Sequence, residues 1–125
     1  MNQRRVLVAV LADVVSVVVF CALGRRSHAE GLTLAGIAET AWPFLTGAGV
    51  GWLASRGWRA PTAIAPTGVV VWLSTIIVGM LLRKATSTGV AVSFIIVASL
   101  VTAALLLGWR GALAVSRRRD GQSRA

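Results

Sequence analysis

Apolar residues in this chain of 125 residues come in four long runs, at about 6–23, 34–55, 67–82 and 90–109. Each run approaches the roughly 20 helical residues that cross a ~30 Å hydrocarbon core, the third being short. A backbone in lipid must satisfy its own hydrogen bonds, and the alternating ten-residue segments of a membrane barrel are absent, so the runs predict helices. Between them lie "GRRSHAEG" (24–31), "SRGWRAPTAIAPTG" (55–68) and "RKATSTG" (83–89), which are basic, polar or rich in turn formers. Links this short make neighbouring helices antiparallel. The predicted fold is all-α, a polytopic membrane protein with four transmembrane helices in an antiparallel bundle over residues 1–113. Residues 114–125, ending in "SRRRDGQSRA", show no apolar face and predict a basic, flexible cytoplasmic tail.

Composition agrees with lipid as the main partner. Hydrophobic residues make up 56% of the chain and charged ones 14%, too apolar for a soluble domain of this size. The net charge of +9 would suit nucleic acid, but the basic residues flank apolar runs in pairs instead of covering one face, so no nucleic-acid role is expected. Arg4 and Arg5 before an apolar run invite comparison with a signal peptide. The run is long, contains Asp13 and is followed by Arg25 and Arg26, so an uncleaved first span is expected. Cys21 is the sole cysteine, which rules out an intrachain disulfide.

Lys and Arg are balanced across the body of the protein. Arg110, Arg117, Arg118, Arg119 and Arg124 after the last run give nine against four for both termini in the cytoplasm. A multi-pass protein of the cell (inner) membrane is the expectation, with anionic lipid at Arg117–Arg119 as a further partner.

The candidate chemistry is sparse. Asp13 lies about 10 Å inside the first run, where a carboxylate costs roughly 2.5–3.5 kcal/mol on insertion scales and is expected to face the bundle interior. Ala9, Ser16, Phe20 and Gly24 lie on the same side at three- and four-residue steps, leaving the valines for lipid. Asp13 is then either a site that loads and releases a proton or cation, or interhelical glue bonded to a serine or threonine.

In "ETAWPFLTGAGVGW", Pro43 deprives the Glu39 carbonyl of its helical partner, so Glu39, Trp42 and Pro43 predict either an opening or a Glu39 pairing with Arg25 or Arg83. Gly47 and Gly51 form a small-xxx-small face for close helix packing, through which a homo-oligomer or membrane partner is expected to bind. Trp72, Thr75, Gly79 and Arg83 share one side of the third run, with Gly79 a further packing position. Asp13, Ser16, Glu39, Trp42, Pro43, Thr75, Arg25 and Arg83 thus make up the candidate intramembrane polar site.

Other residues attract plainer readings. Trp52, Trp58 and Trp109 fall where interfacial anchors are expected, and Trp72 lies deeper. His28 reads as a solvated loop residue, since metal sites need three or four ligands. No zinc motif, nucleophile elbow, phosphate loop or Cys/His pair occurs, so neither an enzyme nor any cofactor or metal is expected. Pairs recur across the halves: Arg25 and Arg26 with Gly31 reappear as Arg83 and Lys84 with Gly89, and Gly51-Trp52 as Gly108-Trp109. A parallel two-hairpin repeat would produce this echo.

Asp13, "GRRSH" (24–28), "WPF" (42–44), "GAGVGW" (47–52), "GMLLR" (79–83) and "GWR" (108–110) together resemble a family of small four-span prokaryotic membrane proteins, the domain of unknown function numbered three thousand and fifty-four. That resemblance implies a prokaryotic inner-membrane setting and no assigned activity. The layout is also similar to that of small multidrug exporters, with an acid in the first of four short spans. Such an analogy does not establish function, and the alternatives are a proton- or cation-coupled small-solute transporter using Asp13 and, as a separate class, a structural or assembly subunit.

Overall fold

Four helices account for most of the chain: α1 (Gln3–Ser27), α2 (Leu34–Ser55), α3 (Val69–Ala85) and α4 (Val92–Arg124). The computed structural model describes residues 3–27, 33–86 and 92–124, excluding the side chains of 25–27, 94 and 119–124. No strand occurs among the described residues.

Side-chain spacing decides how α1 sits. Ala9, Asp13, Ser16, Val17 and Phe20 are buried, whereas Leu7, Val8, Leu11 and Val15 are each more than half exposed. Three- and four-residue steps keep the first set on one face. Thr33 starts α2: its hydroxyl accepts the Gly36 N–H at 3.0 Å and so satisfies one of the free donors of the first turn. Arg56 ends α2 in the left-handed region at φ 51°, donating its N–H to the Leu53 carbonyl at 3.3 Å.

The tightest helix contact is between α2 and α3. Gly36, Pro43, Gly47 and Gly51 are buried along one side of α2. A Cβ at Gly47 would lie 2.6 Å from the Ser74 carbonyl oxygen, and one at Gly51 would lie 2.7 Å from the Val71 Cα. Without side chains there, the two backbones approach closely enough for the Ser74 hydroxyl to donate to the Gly47 carbonyl at 2.7 Å. Those two glycines are spent inside the chain, so an oligomer contact through α2 needs another face. Gly79 repeats the arrangement from α3, where a Cβ would collide with the Phe44 ring.

Phe44 meets Phe20 edge to face, with centroids 5.4 Å apart, inside a cluster that includes Cys21, Ala41, Met80 and Ala98. A second cluster joins Ala48, Val71 and Leu106, with Trp52 and Trp72 packed against it. The Trp72 indole donates to the Ser99 carbonyl at 3.0 Å and ties α3 to α4.

Among the described residues, three stretches are helical, long and apolar enough to cross a membrane: Gln3–Gly24, Ile64–Ala85 and Ile95–Arg118. Helix α2 is not among them, although its 22 residues would extend about 33 Å. Of the four predicted runs, three therefore give helices long and apolar enough to cross. The physical reason lies in α2 itself, where glycines, Glu39, Pro43 and two tryptophans dilute the apolar content.

The expected break at residue 113 is also absent, since α4 is one helix from Val92 to Arg124. "ALAVSRRR" (112–119) contains no proline or glycine, and the alanines, leucine and arginines are good helix formers.

Candidate functional site: a buried carboxylate clasp

Asp13 is 1% exposed on the inner face of α1, and Arg110 on α4 is 0% exposed. The two meet as a fork. Arg110 Nη1 donates to Asp13 Oδ1 at 2.8 Å and Nη2 donates to Oδ2 at 2.7 Å. This bidentate geometry matches the planar guanidinium to the planar carboxylate.

Two indoles complete the shell. Trp109 Nε1 donates to Oδ1 at 3.0 Å and Trp52 Nε1 donates to Oδ2 at 2.9 Å. Each carboxylate oxygen thus accepts from one guanidinium nitrogen and one indole.

The guanidinium is equally well supplied with partners. Its Nε donates to the Pro61 carbonyl at 3.2 Å, and Nη1 also reaches the Leu106 carbonyl at 3.0 Å. Its Cζ lies 4.4 Å from the Trp109 ring centroid, within range of a cation–π contact. One residue from α1, one from α2, two from α4 and the loop carbonyl of Pro61 therefore close on a single point. In a low-dielectric interior a lone carboxylate or guanidinium is costly, and this mutual pairing is what permits both charges to be buried.

The predicted polar residues are not gathered there. Ser16 and Thr75 are buried, but their hydroxyls donate within their own helices, to the carbonyls of Ala12 at 2.8 Å and Val71 at 2.7 Å. Glu39 is exposed and Trp42 is 43% exposed, while Pro43 is buried. Glu39 and Trp42 thus lie on the outer surface of α2 while Pro43 packs inward, so the three are not enclosed together.

Trp52 touches Asp13, and Glu39 lies thirteen residues before it, about 20 Å along the axis. Arg83 is half-buried one turn beyond Gly79, at the Phe44 end of the bundle. The single polar system expected from Asp13, Glu39, Arg25 and Arg83 is therefore corrected: Asp13 is at one end and Glu39 and Arg83 are at the other. The side chain of Arg25, and residues His28 and Glu30, lie outside the described residues. Among the described residues, no group of three or more His, Cys, Asp or Glu could hold a metal.

Three members of the clasp had other assignments in the sequence reading. Trp52 and Trp109 read as interfacial anchors, and Arg110 as the first charge after the last apolar run. The signal that could have found Arg110 is elementary: a buried acid needs a cation, and antiparallel packing brings the end of the fourth run beside the start of the first. The Gly-Trp echo was a second signal, since both of its tryptophans donate to Asp13.

The family assignment rests on a match that contains every member of the clasp. The model of the family described as protein of unknown function (DUF3054) matches residues 10–113. This chain belongs to that family. No curated protein and no solved structure matches it. Within the DUF3054 segment lie Asp13, Trp52, Pro61, Trp109 and Arg110, whereas the last turns of α4 fall outside it.

Each indole is open to test. Trp52→Phe and Trp109→Phe keep an aromatic ring but remove one donor to a charged group, and each is expected to lower stability by about 1.5–3 kcal/mol. Denaturation of the purified variants in detergent measures the loss. A variant as stable as wild type would show that its indole contributes nothing to holding Asp13.

Proposed function

We propose that this DUF3054 protein is a four-span inner-membrane bundle, with both termini cytoplasmic, that serves as a structural or assembly subunit and not as an enzyme. The observation that carries this reading is the saturation of Asp13. Its two oxygens accept four donors, two from Arg110 and one each from Trp52 and Trp109. A carrier site needs a carboxylate free to exchange partners with a proton or cation, whereas a carboxylate with this shell holds helices together.

Two further observations support the membrane layout. The lipid-type residues of α1 and α3 lie outward, Leu7, Leu11, Val15, Ile77 and Leu81 being more than half exposed. Helix α2 lies against α3 through bare backbone and has the length to cross beside it. Burial of Arg110 lowers the Lys and Arg count for cytoplasmic termini from nine to eight, still against four.

The test is a double replacement. Asp13→Leu and Arg110→Met each strand one buried charge, but together they replace the pair by apolar side chains, which is often neutral or stabilising. The double variant is expected to insert, to recover most of the stability lost by either single variant, and to replace wild type in cells lacking the protein. Additive losses would rule out the clasp. A folded, inserted double variant that fails in cells would instead give Asp13 the role of a carrier.

A further inference from the structure

One layer outside the clasp, α1, the loop after α2 and α4 border an open groove of about 630 Å³. Three arginines from three elements line it, Arg5 on α1, Arg59 after α2 and Arg117 on α4, together with Thr62, Ile64 and Ala114. No acidic residue lines it.

Arg117 is seven residues beyond Arg110, and Arg5 is eight before Asp13, so the groove lies about 10–12 Å outward along both helices. That depth places the arginines where headgroup phosphates lie, if the clasp is within the hydrocarbon edge. The loop that forms the wall is fixed from both sides. Arg110 Nε donates to the Pro61 carbonyl, Arg117 Nη1 donates to the Thr62 hydroxyl at 3.3 Å, and the Thr67 hydroxyl donates to the Ala60 carbonyl at 2.7 Å.

We propose that this groove is a binding site for the phosphate headgroup of an anionic glycerophospholipid, a deeper reading that rests on the chain being membrane-embedded. Converging guanidinium groups recognise phosphate oxygens through forked, charge-assisted hydrogen bonds. The rim distinguishes a lipid from a free anion. Ile64 in the groove wall is 42% exposed, and Ala63 and Ala65 beside it add further apolar surface. A free phosphate has no use for those side chains, whereas an acyl chain descending from a bound headgroup covers them.

The occupant would join α1, α4 and the loop from outside, as Asp13 joins them from within. It would stabilise the closed clasp by mass action.

Full-length protein in nanodiscs of phosphatidylcholine, with and without phosphatidylglycerol, provides the test, read by native mass spectrometry of retained lipid and by thermal stability. Wild type is expected to retain phosphatidylglycerol selectively and to melt higher with it. Arg59→Gln and Arg117→Gln are each expected to weaken retention about fivefold, the factor for ~1 kcal/mol per charge near the surface, while Arg118→Gln, outside the groove, leaves it unchanged. Arg59 is exposed and bonds no wall residue, so its variant reads the site even if loss of the Arg117–Thr62 bond loosens the loop.

Equal loss on Arg118→Gln would reduce the effect to general surface charge and overturn the site. Inorganic phosphate protecting as well as phosphatidylglycerol would overturn the lipid as its occupant. Insertion into nanodiscs without any preference would end this proposal alone, and failure to insert would also end the membrane reading.

Discussion

Arg110→Met is expected to lower the stability of the protein by about 3–5 kcal/mol, the range for removing one partner of a buried ion pair. The substitution leaves Asp13, 1% exposed, with two indole donors and no cation. It also removes the donors to the Pro61 and Leu106 carbonyls, freeing the loop from α4. Neutral hydrogen bonds between membrane helices average about 0.6 kcal/mol, so a loss of several kcal/mol separates an ion-pair clasp from ordinary polar contact.

Arg110→Lys keeps the charge but not the fork and should fall between wild type and methionine. Arg117→Met, on the exposed part of the same helix, should change stability little. Unfolding in mild detergent titrated with a denaturing one ranks the four proteins. An Arg110→Met protein within about 1 kcal/mol of wild type would mean that the charge is not buried as described, since exposed pairs are worth no more than that.

The second large effect lies in the α2–α3 seam. Gly47→Ala combined with Gly51→Ala is expected to cost about 1–3 kcal/mol at each position, the usual penalty for overpacking. The atoms in the way are backbone, the Ser74 carbonyl oxygen at 2.6 Å and the Val71 Cα at 2.7 Å, which cannot rotate aside. Relief requires moving the helices apart, which also breaks the Ser74 bond to the Gly47 carbonyl.

Gly49→Ala is the internal control. It lies between the two on the same helix, where a Cβ meets nothing within 4 Å. Alanine there should be neutral or slightly stabilising because it is the better helix former. If all three substitutions behaved alike, helix propensity and not close packing would govern the seam.

Much of the architecture was legible from local pattern. Four helices follow from four apolar runs, since a helix satisfies its own backbone bonds wherever the run is long enough. The inner face of α1 follows from the cost of a carboxylate in lipid together with three- and four-residue spacing. The small residues of α2 pointed to close packing because their only structural advantage is bare backbone.

The end of the fourth helix was misread for a definable reason. Arginine marks a membrane boundary only when its charge reaches water or headgroups, and Arg110 instead turns inward to Asp13. Trp52 and Trp109 were misplaced likewise, because an indole suits an interface and a buried anion equally well. Glu39 failed in the opposite direction. It was expected in a polar site between the helices, but α2 turns that side outward while its glycines face α3.

By itself, the sequence determined that this chain forms apolar helices, that it carries a carboxylate too costly to leave facing lipid, and that one helix is built for close contact. Those properties belong to single segments and depend on transfer energies and helical periodicity. Only the tertiary structure decided which cation answers Asp13, which indoles close around it and that Glu39 turns away from the bundle interior. The physical reason is that a partner ninety-seven residues away is selected by the depth and rotation of packed helices, which no local run of residues encodes.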